Sequence, residues 1–349
     1  MRWPPSPPII RAMTAPTPAR LAVIGAGAWG TALAQAASRA RHPRRTTVWA
    51  HEGDVAQAIN REHGNPLFLP GVVLPAELRA TTDLAEAAKD ATIVLLAVPA
   101  QHLREVTARL APHLTAGATL VLCAKGIEVG TGKLMSEVLD ETAPDVPVAV
   151  LSGPTFAAEV AAGKPTAVTL ATADARAGRT LVEVLGSAAL RPYLSDDVIG
   201  AQVGGAVKNV IAIACGIIEG RRMGDNSRAA LMTRGLAEIM RLGEALGGKR
   251  ETLMGLSGLG DLALTCNSVQ SRNMSLGVSL GKGKTLAEVL AGRRSIAEGV
   301  ATAVAVRALA EWQHVDMPIV SAVEAIVHHG ADITRTIAAV LDRPFKSEG

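Results

Sequence analysis

One lysine in this sequence lies in surroundings that favour proton transfer. Lys208 belongs to a stretch in which apolar residues recur at spacings of three and four, which predicts a helix with an apolar face. Its nearest neighbours on its own face are small, leaving room for a ligand near the amine: Gly204, Gly205 and Ala212. A lysine in such surroundings loses hydration, so its pKa falls toward neutrality, as a general base for a hydroxyl proton requires. The alternative is a lysine paired with a buried carboxylate for structure alone.

Three polar clusters further along the chain are candidates for binding an anionic substrate or a cofactor. We expect Gly255–Asp261, which ends in a carboxylate, and Ser271-Arg272-Asn273 to lie in loops of a helical region. The second cluster combines a bidentate anion donor with a hydroxyl and an amide, a set suited to a phosphate. Ile296-Ala297-Glu298 places another carboxylate before a helix. For each cluster the alternative is turn or cap chemistry without a ligand.

A glycine-rich turn near the amino terminus predicts a dinucleotide site. Gly25, Gly27 and Gly30 form a GxGxxG pattern between the apolar strand Leu21–Ile24 and the helix Thr31–Ala40. The first glycine permits a tight turn, the second lets a pyrophosphate approach, and the third lets the helix and the strand pack closely. The amino terminus of the helix adds N–H groups and a partial positive charge for the phosphates.

The residues after the second strand leave the choice between NAD and NADP open. An acidic residue at this point usually accepts a hydrogen bond from the ribose 2′-OH of NAD. Here the strand Thr46–Ala50 is followed by His51, which could face a 2′-phosphate, and by Glu52, which could serve a 2′-OH. We interpret the basic run Arg39–Arg45 as a solvated segment at the opposite end of the sheet.

Three further strand ends matter, because ligands of open α/β sheets lie outside the carboxyl ends of the strands. These ends are Pro99, Lys125-Gly126 and Gly153-Pro154-Thr155. Lys125 is the only charged residue at the three points, and it is either a site residue or an ordinary surface lysine.

Strands alternate with helices up to about residue 196 and then stop. Besides the two strands already named, strand-like runs occur between helical segments at 92–98, 119–124, 148–151, 166–171 and 190–194. This alternation predicts an α/β fold with a Rossmann-type, doubly wound and mainly parallel sheet. The remainder is predicted to be helical, at 198–218, 229–246, 285–291, 298–313, 318–329 and 331–341. We expect four parts: a disordered extension 1–19, a dinucleotide-binding domain 20–196, an all-helical substrate and catalytic domain 197–342, and a tail 343–349.

Composition excludes several classes of protein. Of the 349 residues, 48% are hydrophobic and 19% are charged, which is enough for a large core. A net charge of +3 is too small to indicate a nucleic acid or a membrane surface as the partner. The three cysteines are far apart and the eight histidines form no HExxH pattern. These features favour a cytoplasmic protein with reduced thiols and no metal site.

Two segments bear on targeting. Residues 1–19 contain six prolines and no apolar run long enough for a signal peptide or a membrane helix. We expect a disordered extension here, with a Pro-rich partner ligand or a translation start at Met13 as alternatives. The uncharged stretches on either side of Lys208 approach membrane-spanning length, but their polar residues and glycines favour a buried helix.

Taken in order, these blocks closely resemble the bacterial-type NAD(P)-dependent glycerol-3-phosphate dehydrogenase family. The likeness runs from about Arg20 to Lys346. It rests on GAGAWGTALA (25–34), NPLFLPG (65–71), LLAVPAQ (95–101), AKGIE (124–128), LSGPTFAAEV (151–160), GGAVKNVIAIACG (204–216), GDN (224–226), TRGLAEIMRLG (233–243), GLSGLGDLALTC (255–266), SRN (271–273) and AEGV (297–300).

The resemblance implies reversible reduction of dihydroxyacetone phosphate to sn-glycerol 3-phosphate, with NAD(H) or NADP(H) as cofactor, in support of glycerophospholipid synthesis. It implies a homodimer as one option, and it assigns proton transfer to Lys208. The implied substrate contacts are Lys125, Gly153, Thr155, Lys208, Asp261, Ser271, Arg272 and Asn273. The implied cofactor contacts are Gly25, Gly27, Ala28, Trp29, Gly30, His51, Lys125, Ala157, Arg272, Ile296 and Glu298.

Four positions depart from the residues usual in that family. Ala28 and Thr155 stand where serine is common, His51 where arginine is usual, and Cys123 where serine or threonine is usual. The histidine weakens any preference for NADP. Two other functions stay open: a related two-domain 3-hydroxyacid or sugar-acid dehydrogenase, and a dinucleotide-sensing protein without catalysis.

Overall fold

The computed structural model describes residues 20–40, 45–291 and 297–344. Its strands are β1 Arg20–Ile24, β2 Thr46–Trp49, β3 Arg79–Thr81, β4 Ala91–Leu96, β5 Thr119–Leu122, β6 Val148–Ser152, β7 Thr166–Ala171 and β8 Leu190–Ser195. They form one sheet in the order β3-β2-β1-β4-β5-β6-β7-β8. Every neighbouring pair is parallel except β6 with β7. The predicted mainly parallel, doubly wound sheet is therefore confirmed.

Seven α-helices accompany the strands, and nine more follow the last strand. The first group is α1 Ala28–Ser38, α2 Gly53–Glu62, α3 Leu84–Ala88, α4 Leu103–Leu110, α5 Met135–Thr142, α6 Ala157–Ala161 and α7 Ala175–Leu185. The second is α8 Val198–Gly220, α9 Asp225–Ala245, α10 Arg250–Leu253, α11 Asp261–Cys266, α12 Arg272–Gly281, α13 Leu286–Ala291, α14 Glu298–Trp312, α15 Pro318–His329 and α16 Ile333–Leu341. These counts refer to the described residues.

The sheet is buried on both faces because alternate side chains of each strand enter different cores. Val23 and Leu95 lie in the cluster covered by α1, α2 and α7. Ala22 and Val94, their neighbours along the same two strands, lie in the cluster covered by α3, α4 and α5. Burial on both faces explains why the strands are continuous apolar runs rather than alternating ones.

Helix α8 is the centre of the helical domain. Its side chains, such as Val207 and Ile211, lie in a third core cluster with residues of the helices around it. It is the one described helix long and apolar enough to cross a membrane by length and composition, and most of that window is buried inside the molecule. The prediction of a buried helix around Lys208 is confirmed.

Glycines bring helix α12 unusually close to α8. A Cβ at Gly277 would lie 2.1 Å from the carbonyl oxygen of Ile213, and one at Gly281 would lie 2.5 Å from that of Ile217. A larger residue at either position would push the two helices apart. Because α12 begins with Arg272, this packing also sets the position of the polar cluster at its start.

Part of the sequence interpretation was wrong in this region. Asp261 is the first residue of α11 and Ser271 caps α12, so the two polar clusters lie at helix starts rather than in loops. Helices α10 to α12 were not predicted, since their glycine and serine content resembles that of turns. The predictions for residues 1–19, for most of the basic run Arg39–Arg45, for Ile296 and for the last residues of the tail lie outside the described residues.

Candidate active site

Two lysines share one buried carboxylate at the centre of the molecule. The Lys208 amine donates hydrogen bonds to Asp261 Oδ1 and to the Thr265 hydroxyl oxygen, each at 2.8 Å. The Lys125 amine donates to Asp261 Oδ2 at 2.7 Å. Asp261 is fully buried and Lys208 is 7% exposed. Two cations and one anion in a nearly dry space form a compact site for proton transfer and for a negatively charged ligand.

Local chain geometry explains how α8 and α11 meet here. Residues Leu256–Gly260 form a single π-helical turn that leads directly into α11, and such turns are frequent at functional sites. Asp261 and Thr265 are four residues apart on α11 and so share a face. A Cβ at Gly204 would lie 2.5 Å from the Ser257 carbonyl oxygen, and one at Gly205 would lie 2.7 Å from the Ser152 hydroxyl. These small residues therefore make room for neighbouring protein segments rather than for a ligand.

Burial sets the proton affinity of the catalytic candidate. Loss of hydration lowers the pKa of Lys208 to about 8, an effect that the Asp261 carboxylate opposes and the Lys125 cation reinforces. A group with a pKa near the working pH can both donate and accept a proton at useful rates. The alternative considered from the sequence, a lysine paired with a buried carboxylate, is also present here, because Asp261 is that carboxylate. Pairing and proton transfer are therefore compatible at this site.

Lys125 extends from the loop after β5 and is held there on several sides. Its amine also donates to the Gly153 carbonyl oxygen at 2.9 Å. The Gln101 side chain binds the same loop at two points. Its amide nitrogen donates to the Ile127 carbonyl oxygen at 2.8 Å, and its amide oxygen accepts from the Val129 N–H at 3.0 Å. These contacts hold the Lys125 amine beside Asp261, where its side chain is only 13% exposed. Its role in binding substrate or cofactor stays a prediction.

An ion pair holds the far end of the same loop. The guanidinium of Arg104 on α4 donates two hydrogen bonds to the Glu128 carboxylate in a bidentate pair, at 2.8 and 2.9 Å. The guanidinium of Arg104 holds the pKa of that carboxyl below its usual range. The loop between Lys125 and Glu128 is thus anchored at both ends.

Gly153 and Thr155, both predicted site residues, lie just after β6. The backbone at Gly153 has φ = +144°, and a Cβ there would meet the Cα of Val168 at 3.1 Å, so only glycine fits. The Thr155 hydroxyl donates to the Gly153 carbonyl oxygen at 3.2 Å. The same carbonyl accepts from Lys125, so this turn is joined directly to the lysine pair.

The cluster at the start of α12 divides into two kinds of residue. The Ser271 hydroxyl accepts from the Met274 N–H at 3.2 Å and so caps the helix. Asn273 donates to Asn209 Oδ1 at 2.9 Å and accepts from the Gly299 N–H at 3.0 Å. Arg272 is exposed at the first position of the helix. Ser271 and Asn273 therefore stabilise the helix starts, and Arg272 carries the charge of the cluster.

The glycine turn has the shape that a dinucleotide requires. Gly25 has φ = +114°, and a Cβ at Gly30 would lie 1.8 Å from the Gly25 carbonyl oxygen, so both are required by packing. A Cβ at Gly27 would meet nothing within 4 Å in the described part of the chain. Gly27 is also the N-cap of α1, whose first N–H groups lie next to that open space. The residues present therefore fit a bound pyrophosphate.

Four more of the predicted cofactor residues lie shortly after the carboxyl ends of β1, β2 and β6. Ala28 and Trp29 begin α1, and the Trp29 indole nitrogen is buried without a partner among the described residues. His51 is exposed after β2, with its ring centroid 6.1 Å from that of Trp49. Ala157 begins α6.

Glu298 joins the start of α14 to the turn after β4. Its Oε1 accepts from the Ala100 N–H at 3.3 Å. Burial raises the pKa of this carboxyl, although the cations Arg272, Lys208 and Lys125 oppose the rise. The carboxylate is thus close enough to three site cations to be influenced by them.

Two residues of the site were not singled out from the sequence. Thr265 binds the Lys208 amine, and Asn209 links the Lys125 carbonyl oxygen, at 3.4 Å, to Asn273. The helical spacing between Asp261 and Thr265 was the available signal, but α11 had not been predicted. In the described ranges, no group of three or more His, Cys, Asp or Glu residues is arranged to hold a metal ion.

Comparisons with known proteins agree with this geometry. A family model described as NAD-dependent glycerol-3-phosphate dehydrogenase N-terminus matches residues 20–178, and the corresponding C-terminus model matches 197–338. The chain is 58% identical over 329 residues to glycerol-3-phosphate dehydrogenase (NAD(P)+) of Rhodospirillum rubrum, covering 94% of each chain. It is 56% identical over 329 residues to that of Parvibaculum lavamentivorans, covering 94% of this chain and 98% of the relative.

Solved structures agree as well. The glycerol-3-phosphate dehydrogenase of Coxiella burnetii superposes with a TM-score of 0.89 at 39% identity, covering 93% of this chain and 99% of that one. The yeast enzyme superposes with a TM-score of 0.78 at 28% identity and the same coverage of both chains. The chain therefore belongs to the NAD-dependent glycerol-3-phosphate dehydrogenase family.

Proposed function

We propose that this protein catalyses the reversible NAD(P)-dependent reduction of dihydroxyacetone phosphate to sn-glycerol 3-phosphate, with Lys208 as the acid and base. The observation that carries the proposal is the buried Lys208–Asp261–Lys125 arrangement beside the dinucleotide turn. Packing connects the two parts. A Cβ at Gly25 would touch the Ala97 backbone, and one at Gly126 would lie 2.5 Å from the Ala100 Cβ, so the turn, the β4 end and the Lys125 loop adjoin.

The nicotinamide cofactor supplies the hydride when it is bound, and the protein supplies the proton. In the reducing direction the Lys208 ammonium donates its proton to the oxygen of the substrate carbonyl. In the oxidising direction the neutral amine accepts the hydroxyl proton. Asp261 holds this amine in place and favours its charged form, while Lys125 adds a second positive charge next to the developing negative charge on oxygen.

The phosphate of the substrate is assigned to the start of α12. Arg272 offers a planar guanidinium, and Ser271 and Asn273 belong to the same helix start. Substrate contacts are completed by Gly153 and Thr155. For the cofactor we propose the glycine turn with Ala28 and Trp29, together with His51, Lys125, Ala157, Arg272, Ile296 and Glu298.

A steady-state assay with purified protein tests the function. Dihydroxyacetone phosphate should be reduced with NADH, NADPH or both. Unphosphorylated 3-hydroxy acids should be poor substrates for oxidation with NAD+ or NADP+, compared with sn-glycerol 3-phosphate. A preference for the 3-hydroxy acids would support the related 3-hydroxyacid or sugar-acid dehydrogenase instead. Binding of nucleotide without turnover of any of these substrates would support the dinucleotide-sensing protein.

Removal of the proposed acid and base gives a second test. Lys208→Ala should lower kcat about 10²- to 10⁴-fold, the usual range for loss of a general acid or base, while NADH still binds. Lys282→Ala, which changes an exposed lysine just after α12, is the matched control and should leave kcat unchanged. Near-normal turnover by Lys208→Ala would remove this residue from the chemistry.

The cellular setting belongs to the same proposal. We propose a cytoplasmic enzyme that supplies glycerophospholipid synthesis and assembles as a homodimer. Size-exclusion chromatography with light scattering measures the oligomeric state directly, and a monomer at micromolar concentration would contradict that part of the proposal.

A further inference from the structure

A short segment between α2 and β3 lies against the dinucleotide turn. It begins at Asn65, which is 1% exposed although it belongs to no helix or strand. The segment corresponds to the NPLFLPG block, and the proposed reaction gives none of its residues a role. A buried asparagine in irregular chain requires partners for its amide, and here those partners define its position.

The Asn65 side chain joins this segment to the glycine turn and to α1. Its amide nitrogen donates to the Ala26 carbonyl oxygen and to the Thr31 hydroxyl oxygen, each at 2.8 Å. Its amide oxygen accepts from the Phe68 N–H at 3.1 Å. Thr31 is fully buried, and its hydroxyl also approaches the Ala26 carbonyl oxygen, at 3.2 Å. Two side chains from different segments therefore converge on one carbonyl oxygen of the turn.

Anchoring that oxygen has a geometric consequence. The peptide between Ala26 and Gly27 is planar, so the direction of its carbonyl determines the direction of its N–H, on the opposite side. The same peptide leads into the N-cap of α1, where a Cβ at Gly27 would meet only open space in the described residues. Holding the Ala26 carbonyl therefore holds both the Gly27 N–H and the start of α1.

We propose that Asn65 is a positioning residue of the dinucleotide site. It acts through Ala26 and Thr31, keeping the peptide at Gly27 and the first turn of α1 in the orientation that receives the pyrophosphate. Without Asn65 the turn can adopt other orientations, and binding must first select the competent one, which lowers the apparent affinity. This inference rests on the dinucleotide site of the proposed function, but it requires no assumption about the substrate.

Calorimetric titration of the apo protein with NADH and with ADP-ribose tests the inference. Asn65→Ala should raise the dissociation constants of both ligands about tenfold, and by similar factors, because the two share the pyrophosphate. The kcat at saturating NADH and the KM for dihydroxyacetone phosphate should change less than twofold. An effect on NADH alone would instead place Asn65 at the nicotinamide and overturn the inference.

Asn60→Ala is the matched control for stability. Asn60 also forms two hydrogen bonds, at 2.7 and 2.9 Å, but it joins α2 to Ala80 on β3 rather than to the turn. Both alanine variants should lower Tm, and only Asn65→Ala should weaken nucleotide binding. A merely structural Asn65 would lower Tm and leave both dissociation constants unchanged, which would overturn the inference.

Two further variants keep the test decisive if Asn65→Ala does not fold. Thr31→Val removes the other donor to the Ala26 carbonyl and should weaken both ligands in the same way. Asn65→Asp lacks the amide donors while ionised, but a protonated carboxyl can donate to that carbonyl. Its affinity relative to wild type should therefore recover as the pH falls through the carboxyl pKa. A pH-independent ratio for Asn65→Asp, or wild-type affinity in Thr31→Val, would contradict the inference.

The outcomes for the wild-type protein separate this inference from the proposed function. If the protein binds NADH but does not turn over dihydroxyacetone phosphate, only the substrate assignment fails, and the variant titrations still decide the role of Asn65. If the wild-type protein binds neither NADH nor ADP-ribose, the dinucleotide site and the inference are overturned together.

Discussion

At the scale of single residues, the site depends on one carboxylate between two amines. Asp261 accepts from Lys208 through one oxygen and from Lys125 through the other. Burial favours the neutral form of Lys208, and the carboxylate opposes this effect. Removing the carboxylate without changing the size of the side chain therefore separates the two influences.

Asp261→Asn should shift the pH profile of the reaction. The carboxylate raises the pKa of Lys208, so its loss should move that pKa below its present value of about 8. Reduction needs the protonated amine, and the alkaline limb of its pH profile should move to lower pH. Initial rates between pH 6 and pH 10 at saturating substrate measure the shift. If the alkaline limb of the Asp261→Asn profile does not move, a group other than Lys208 determines that limb.

Arg272 gives the second prediction at this scale. Arg272→Ala should raise the KM for dihydroxyacetone phosphate at least tenfold, because it removes a bidentate donor to the phosphate. Arg272→Lys retains the charge but not the planar fork, so it should recover only part of the loss. Calorimetric titration with inorganic phosphate reports the same contact without turnover. Unchanged kinetics in Arg272→Ala would exclude this role.

How far the site could be predicted depended on whether each residue lay in a recognisable pattern. Lys208 was predicted because it lies in a helix with an apolar stripe. Lys125 and Gly153 were predicted because each comes just after the end of a strand. Thr265 was missed because its helix, α11, directly follows the glycine-rich turn Leu256–Gly260, which resembles a loop in sequence. The pairing of Asp261 with both lysines depends on contacts 136 and 53 residues apart in the chain, which no local pattern contains.

At the scale of elements, close helix packing brings the site together. The contact between α8 and α12 contains no side chain at Gly277 or Gly281, so backbone meets backbone. Longer strands and helices were predicted within a few residues, as for β7, whose bounds agree with the predicted run 166–171. The short edge strand β3 and the short helices α10 and α11 were missed, because short elements depend on tertiary contacts for their stability. Helix α12 was missed because its glycines and serines resemble those of a turn.

Gly277→Ala tests this contact. The new methyl group would lie 2.1 Å from the Ile213 carbonyl oxygen, so α12 must move away from α8. Overpacking of this kind costs about 1–3 kcal/mol of unfolding free energy. Gly53→Ala is the control, because a Cβ there meets nothing within 4 Å among the described residues. Urea denaturation should show destabilisation in the first variant only. Equal stability of the two variants would contradict the packing argument.

At the scale of the whole molecule, a buried carboxylate outside the active site connects two helices of the carboxyl-terminal domain. Glu238 on α9 is 1% exposed and accepts from the Ile319 and Val320 N–H groups at the start of α15, at 2.7 and 3.2 Å. Loss of hydration raises the pKa of this carboxyl to about 7, against the effect of those hydrogen bonds and of Arg241. The folded protein therefore holds a proton there that the unfolded chain releases near pH 4.5.

This difference predicts how stability depends on pH. Below pH 4.5 Glu238 is protonated in both the folded protein and the unfolded chain, and its contribution to the free energy of unfolding is fully present. As the pH rises toward 7 the unfolded chain is already ionised while the folded protein is not, so up to about 3 kcal/mol of stability is lost. Glu238→Gln cannot titrate and should lack this slope. Urea denaturation of both proteins at pH 5 and pH 8 measures the difference, and parallel pH dependences would exclude Glu238 as its source.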